Sequence, residues 1–374
     1  MARLIRSKKF VGVLLSLFSV FTSGAQNVSI GGIKYYLYLD SSEAVVSSLN
    51  HCSGVVAVPS EISYNGQKFS VAGITYNAFF NCDKLTKVII PKTIDHFIHH
   101  TLSGEVLQSA VSPDYMNPFV GCVALESIEV EEGNPIMHSV NGVLYNKDET
   151  KLFCYPAGIK NERFVVPQTV SWIGASSFAG NSHLTYVELP ASLSTLCAET
   201  FKDCKSLKDV LLTEKLTFIG SGAFTHCICL ESIDVPTSVT GLGTGAFQGC
   251  TSLRKIILPK SVRSVGAFTF SGCELDLVAI RGVLDSQSVN PYLFAGISRL
   301  DKVYVPEAEI SRYESVFEGE ILPISSFDAL TFISHKQNFT NTQISSTYDL
   351  QGRRLTGAPR KGVYIRDGRK VVVK

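Results

Sequence analysis

Asp95, His96, His99 and His100 form the one cluster of metal-ligand residue types in this sequence. Spacings of three and four would bring His96, His99 and His100 together on a helix. They fall in an irregular stretch, Lys92 to Pro118, with no acid or Cys partner at a defined distance. They therefore read as a solvated loop, with no metal. Cys227 and Cys229 are separated by a single residue, which fits no redox or zinc spacing. There is no Gly-x-Ser-x-Gly elbow, no phosphate loop and no dinucleotide fingerprint; Gly220-Ser221-Gly222 reads as a turn. The expectation is a protein that is not an enzyme, holds no cofactor, and works through what its surface binds.

The surface is set by a repeat. Phe178, Phe201, Phe224, Phe247 and Phe270 lie 23 residues apart, and Cys204, Cys227, Cys250 and Cys273 follow the last four at an offset of three. A fixed period of this size means one small supersecondary unit stacked many times. In one unit, Ala223-Phe224-Thr225-His226-Cys227 leads to Leu230, Ile233, Val235, Pro236, Val239, Leu242 and Gly243. The next gives Ala246-Phe247, Cys250, Leu253, Ile256, Leu258, Pro259, Val262, Val265 and Gly266. The apolar alternation at the end of Leu-x-x-Ile-x-Leu is strand periodicity. Proline removes a backbone donor and stops the strand. Val239 and Leu242 mark a second extended stretch, and Gly243 and Gly266 read as residues that permit a turn. Ala-Phe-x-x-Cys is too short for a stable helix and reads as one helical or 3₁₀ turn pinned by its Phe.

No single coil can bury its own apolar side, so neighbours must stack and share it. The fold expected is a β-rich repeat solenoid of about nine to ten coils of about 23 residues, roughly 45 Å long at strand spacing. Irregularities are visible. Phe79 and Phe119 are 40 residues apart, so Lys92 to Pro118 contains an insertion. A longer unit runs from Asn134 to Gly174, with Asn141-Gly142 as a two-residue hairpin turn. Phe294, Leu300, Val303, Val305 and Pro306 give a last coil.

Hydrophobic residues make up 45% of the 374 and charged residues 18%, which excludes a disordered chain. Residues 1–25 read as a secretory signal. They have a basic start at Arg3, Arg6, Lys8 and Lys9, an apolar core from Phe10 to Phe21, and Ser23-Gly24-Ala25 before cleavage. The apolar core is shorter than the roughly 20 residues a membrane helix needs. Removing residues 1–25 takes four of the 34 basic residues and none of the 33 acidic ones, leaving −3. A nucleic-acid partner would need a clustered basic face. The expectation is a secreted, cell-surface protein with no membrane span in the mature chain.

Five of the ten cysteines, Cys82, Cys122, Cys204, Cys227 and Cys250, share one slot, three residues after a Phe and three before a Leu. Asn181 and Ile297 fill the same slot elsewhere. It reads as a small buried position holding reduced thiols rather than as a bridge site.

The pattern Ala-Phe-x-x-Cys-x-x-Leu-x-x-Ile-x-Leu-Pro-x-x-Val resembles the BspA-like leucine-rich repeat family of bacterial surface proteins. The long unit, with Asn134-Pro135, Asn141-Gly142-Val143-Leu144-Tyr145 and Tyr155-Pro156, is similar to a longer unit of that family. The resemblance covers about residues 53–306. It implies a curved solenoid, surface display, and a role in adhesion or in binding a protein or glycan. The Lys92–Pro118 insertion, Thr213 at one proline slot and Arg281 at another depart from the pattern.

The period stops near Ser325. Asp367-Gly368 between two β-rich runs predicts a tight hairpin in a small C-terminal β module. Residues 349–374 hold eight basic and two acidic residues, a net +6, which leaves −9 for residues 26–348. This tail resembles type IX secretion sorting modules of Bacteroidetes, which implies secretion or anchoring machinery as a partner. The division expected is a signal peptide at 1–25, an N-terminal β segment at 26–52, a solenoid at 53–324 and a C-terminal module at 325–374.

The strand residues between the inward positions form two outward columns. One is Lys87, Ser127, Tyr186, Asp209, Ser232, Lys255 and Lys302; the other is Ile89, Glu129, Glu188, Leu211, Asp234, Ile257 and Tyr304. Tyr186, Leu211, Ile257 and Tyr304 are the candidate anchors, with Lys255 and Lys302 beside them, since aromatic residues favour binding hot spots. The alternatives are a structural envelope or matrix protein, and a hydrolase of surface polymers.

Overall fold

The computed structural model describes residues 25–49, 52–98, 117–297 and 300–327, and in the tail the strands Thr347–Tyr348, Gly362–Arg366 and Arg369–Val373. The expected signal segment, apart from Ala25, and His99 and His100 lie outside the described residues. The chain divides into two units at Ile324/Ser325.

The first unit is the β-rich repeat solenoid that the period predicts. Most coils contribute one strand to each of two parallel ladders. In the first ladder, Arg163, Tyr186 and Asp209 stand side by side, as do Phe164, Val187 and Val210. The period of two sends Val187 and Val210 into the core and leaves their neighbours outside. In the second ladder, Leu196, Ile219, Leu242 and Val265 pair in register, and all are buried. Hydroxyls reinforce the stack. The Ser238 Oγ donates to the Leu216 carbonyl at 2.6 Å and the Thr240 Oγ1 to the Thr217 carbonyl at 3.1 Å, each one coil back.

The phenylalanines form a continuous spine. Phe178, Phe201, Phe224, Phe247 and Phe270 are all fully buried. Successive ring centroids lie 4.9, 5.4, 5.3 and 6.2 Å apart. In the long unit, Tyr155 takes the place of Phe, stacking on Phe178 at 5.2 Å.

The turn around each Phe is 3₁₀-type in its bonding. The Cys227 N–H donates to the Phe224 carbonyl at 3.1 Å and Cys250 repeats this with Phe247. It never extends into a helix, because left-handed residues bracket it. Ser176, Glu199, Gly222, Gly245 and Phe268, two residues before each Phe, have φ of 56°, 56°, 62°, 63° and 58°. Two residues after each Phe, Gly180, Asp203, His226, Gly249 and Gly272 have φ of 80°, 59°, 59°, 72° and 72°. A right-handed helix cannot pass through such positions.

Gly243 and Gly266 do something other than the expected turn. A Cβ at Gly243 would lie 2.3 Å from the Ser221 backbone nitrogen, and one at Gly266 2.3 Å from that of Thr244. These glycines let adjacent coils touch backbone to backbone.

The cysteine slot carries a hydrogen bond as well as bulk. Each thiol of Cys204, Cys227, Cys250 and Cys273 donates to the carbonyl of the Phe one coil back, at 3.0 to 3.1 Å. Asn181 fills the slot with both ends engaged, donating to the Pro156 and Ile159 carbonyls and accepting from the His183 and Leu184 N–H groups. Cys82 departs from the expectation of free thiols, because it is bonded to Cys52. The remaining eight cysteines form no disulfide.

Before the repeats, Gln26–Ile30, Ile33–Tyr38 and Glu43–Leu49 form an antiparallel meander. Its last strand pairs in parallel with Gln67–Thr75, so the meander covers an end of the second ladder. The start of the insertion is not the expected loop. His96–Ile98 is a strand that pairs with Gln67–Thr75. Asn141 and Gly142, at φ 51° and 81°, turn the hairpin of Met137–Val140 and Val143–Asn146 as the dipeptide predicts. In the second unit, Thr347–Tyr348, Gly362–Arg366 and Arg369–Val373 form an antiparallel sheet with Arg366 opposite Arg369. Asp367 and Gly368 themselves lie outside the described residues. Among the described residues no helix is long and apolar enough to cross a membrane.

Candidate interaction surface

Of the two clusters of chemistry-bearing residues, Asp95, His96, Cys227 and Cys229 lie among the described residues. The His96 ring lies against Gly73, where a Cβ would come within 2.6 Å of its Nε2, and its Nδ1 pairs with the neighbouring Asp95 carboxylate. Among the described residues no group of three or more His, Cys, Asp or Glu could hold a metal ion. Cys227 is buried in the spine and Cys229 is half-buried at the turn. Burial pushes the Cys122 thiol from its ordinary 9.0 to about 12 and lifts Cys154, Cys204, Cys227 and Cys250 as well. Such thiols are inert, since only the thiolate is nucleophilic.

The outward face of the first ladder carries the six sequence-predicted contact residues. Leu211 is 51% exposed, and Lys255 and Lys302 are exposed. Tyr186 and Ile257 are half-buried. Tyr304 is a correction: it is buried, at 5% exposure. Its flanks are Ala279, one coil before, and Leu322, in a further strand, Glu320–Pro323, that extends the ladder beyond the last regular coil. The last coil that the register assigns ends at Pro306, so residues 320–323, though within the expected solenoid, had no assigned place on the ladder.

Several outward charges are spent on neighbouring coils. The Lys302 ammonium lies 3.0 Å from Glu320, and this hydrogen bond raises its pKa. Lys87 pairs with Glu129 at 2.5 Å and Arg254 with Glu274 at 2.8 Å. The Arg163 guanidinium sits 4.0 Å from the Tyr186 ring centroid, in cation–π contact. Burial raises the Tyr186 phenol, Glu188 adds to the rise and Arg163 opposes it. Arg163 lies 23 residues before Tyr186 in the same column, so continuing the register by one coil would have found it. Burial also lifts the Asp209 carboxyl, against its bond to the Val210 N–H, and Asp234 on the next coil adds to the lift.

The face is not continuous. Among the described residues the ladder stops at Asp209–Leu211 and resumes at Lys255–Leu258, with Ser232–Val235 between them outside regular strand pairing. Along this break runs a groove of about 420 Å³, lined by Ile233, Asp234, Arg254, Lys255, Ile257 and Arg281, among others. It combines an apolar floor with charges of both signs, the composition of a site that fixes a ligand by shape and a few polar contacts.

The repeated coil of this surface matches a known pattern. The BspA type leucine rich repeat region matches in six copies, over residues 61–134, 149–241 and 217–345. The chain belongs to the BspA-type leucine-rich repeat family. The matched regions take in the phenylalanine spine and the coils that border the groove, so the family accounts for the fold that carries it.

Solved structures of leucine-rich repeat proteins are similar at low identity. The pneumococcal vaccine antigen PcpA is 17% identical, covering 81% of this chain and 99% of its own, with a TM-score of 0.44. A leucine rich cell surface protein from Faecalibacterium prausnitzii is 16% identical, covering 80% and 99%, with a TM-score of 0.41. A leucine-rich repeat protein from Bacteroides ovatus is 18% identical, covering 79% and 100%, with a TM-score of 0.33. No curated protein sequence matches the chain.

Proposed function

We propose that this BspA-type repeat protein is exported, displayed at the cell surface, and binds a protein or glycan there without catalysing a reaction. The observation that carries this reading is the outward sheet face, where a groove is lined by Ile257, Asp234, Lys255, Arg254 and Arg281 and Leu211 stands exposed in the column that holds Asp234 and Ile257. Repeat solenoids commonly bind through such an extended sheet surface. Family membership and the signal-like residues 1–25 support display outside the cell. The tail, with its net charge of +6, serves as the segment read by the secretion or anchoring machinery.

The test is a binding screen of the mature chain against immobilised matrix proteins and glycans. With any partner found, Leu211→Asp and Ile257→Asp should each lower affinity at least tenfold while leaving the melting temperature unchanged. Full affinity in both variants would remove this groove as the site, and turnover of a bound polymer would make the protein a hydrolase. Deleting Tyr348–Lys374 should abolish surface exposure while leaving the solenoid folded; unchanged display would refute the role of the tail.

A further inference from the structure

The left-handed position two residues before the spine Phe holds Ser176 and Glu199 in the first two coils of the spine and a bulky aromatic in the last. Gly222 and Gly245 occupy it in the two coils between. The last coil places Phe268 there, at φ 58°. A bulky residue in this region is strained, and such strain persists where the surroundings impose it and function uses it. The surroundings do impose it. The Phe268 N–H donates to the Tyr292 carbonyl at 3.1 Å, its carbonyl accepts from Ser271, and Thr269 beside it is fully buried. The ring itself adds little to the core. It is 39% exposed and packs at 4.9 Å, tilted by 45°, on the ring of Tyr292, which is 54% exposed.

The chemistry around the pair is distinctive. The turns at residues 244–252, 267–273 and 286–297 contain no charged residue, and Glu274, which follows Cys273 in the chain, is paired with Arg254, whereas the turn three coils before that of Phe270 carries Glu199, Lys202 and Asp203. What these turns offer is hydroxyl and amide. Gln248 reaches over Gly245, one coil back from Phe268, with its Oε1 3.2 Å from where a Cβ would stand. Thr244, Thr251, Ser286 and Gln287 are exposed. Two part-exposed aromatic rings on turns rich in uncharged hydrogen-bonding groups suit a ligand with apolar C–H faces, many hydroxyls and no charge.

We infer that Phe268 and Tyr292 form a stacking site for a neutral carbohydrate, on the turn side of the solenoid and independent of the sheet-face groove. The uncharged turns favour neutral hexose or N-acetylhexosamine polymers over uronic or sialic acids. Phe268 takes up the strained position because a ring is needed there, where glycine would serve the backbone better.

Isothermal titration of the mature chain with cellohexaose, maltohexaose, mannohexaose and N-acetylchitohexaose, with an oligogalacturonate as charged control, tests this. At least one neutral oligosaccharide should bind. Phe268→Gly and Tyr292→Ala should each weaken it at least tenfold, and Leu211→Asp should leave it unchanged. Phe268→Gly should melt no lower than the parent chain, since glycine fits the position. The proposal is overturned if no neutral oligosaccharide binds, if Phe268→Gly keeps full affinity, or if that variant melts several degrees lower, making the ring a structural part of the turn. It is equally overturned if only the charged control binds or if the pair serves a protein partner instead.

Discussion

The Cys250 thiol donates to the carbonyl oxygen of Phe224 at 3.1 Å, across the boundary between two coils. The same bond joins Cys122 to Phe79, Cys204 to Phe178, Cys227 to Phe201 and Cys273 to Phe247. One atom of the slot thus fills space and gives a second hydrogen bond to a carbonyl that already accepts the N–H donated within its own turn. Cys250→Ala should lower stability by about 1–3 kcal/mol, combining a small cavity with the loss of a weak donor. Denaturant unfolding checks this; an unchanged midpoint would show that the bond and the packing are both dispensable.

The buried thiols make stability fall in alkali. The folded state holds Cys122 protonated up to about 12, while the unfolded thiol titrates near 9.0. Its contribution is therefore complete below about pH 9 and is lost as the pH rises towards 12, because the unfolded chain binds fewer protons in that window. Each such thiol adds up to about 1.4 kcal/mol per pH unit to the loss. Urea unfolding followed from pH 8 upward should show a midpoint that declines steeply above pH 9, and a Cys122→Ala variant should decline less.

The spine makes a simpler demand. Phe224 and Phe247 are both fully buried and stack within 1° of parallel at 5.3 Å. Phe247→Ala should cost about 3–5 kcal/mol. Wild-type-like melting would contradict a shared interior column.

Two glycines two residues apart should respond in different ways. Gly243→Ala drives a methyl into the Ser221 and Gly220 backbone at 2.3 and 2.7 Å, so two coils must part, at a cost of about 3 kcal/mol or more. Gly245→Ala meets only the flexible Gln248 side chain at 3.2 Å, and the penalty is that of a left-handed alanine, about 1–2 kcal/mol. Equal losses in the two variants would show that close approach of the coils is not what selects Gly243.

The Cys52–Cys82 bond spans 30 residues and ties the segment just after the N-terminal meander to the first regular turn. Closing a loop of that length is worth about 3–4 kcal/mol in the chain-entropy picture. Reduction should lower the melting temperature, and alkylation of the denatured, unreduced chain should label eight of its ten cysteines. Ten labelled thiols would remove the bridge.

The parts of this molecule that obey the 23-residue register could be read directly from the sequence. Phe178 to Phe270, the slot cysteines and the strand residues around Val187 and Val210 each recur with the same type and spacing, and burial follows from that recurrence. What escaped the reading has specific causes. Tyr304 looked outward because its column does, but Glu320–Pro323 adds a strand beyond the last coil that the register assigns. The left-handed columns were hidden by their chemistry, since Ser176, Glu199, Asp203, His226 and Phe268 occupy places that glycine fills elsewhere. Cys82 shares its slot with free thiols, and nothing in its own unit marks it as bridged; the distinguishing partner, Cys52, precedes the repeats. His96 sat in a stretch without period, so its pairing with Gly73 could not be read from spacing.

Gly243 seats its coil on the one before it in the way Gly266 seats the next. Either joint would accept the other's partner. Copying a whole 23-residue segment of the gene would therefore yield a longer protein in which every new seam is already familiar. Losing one would shorten it just as cleanly, whereas an insertion of ten residues would leave a seam that nothing fits. Lineages carrying such a chain can adjust its reach in whole steps.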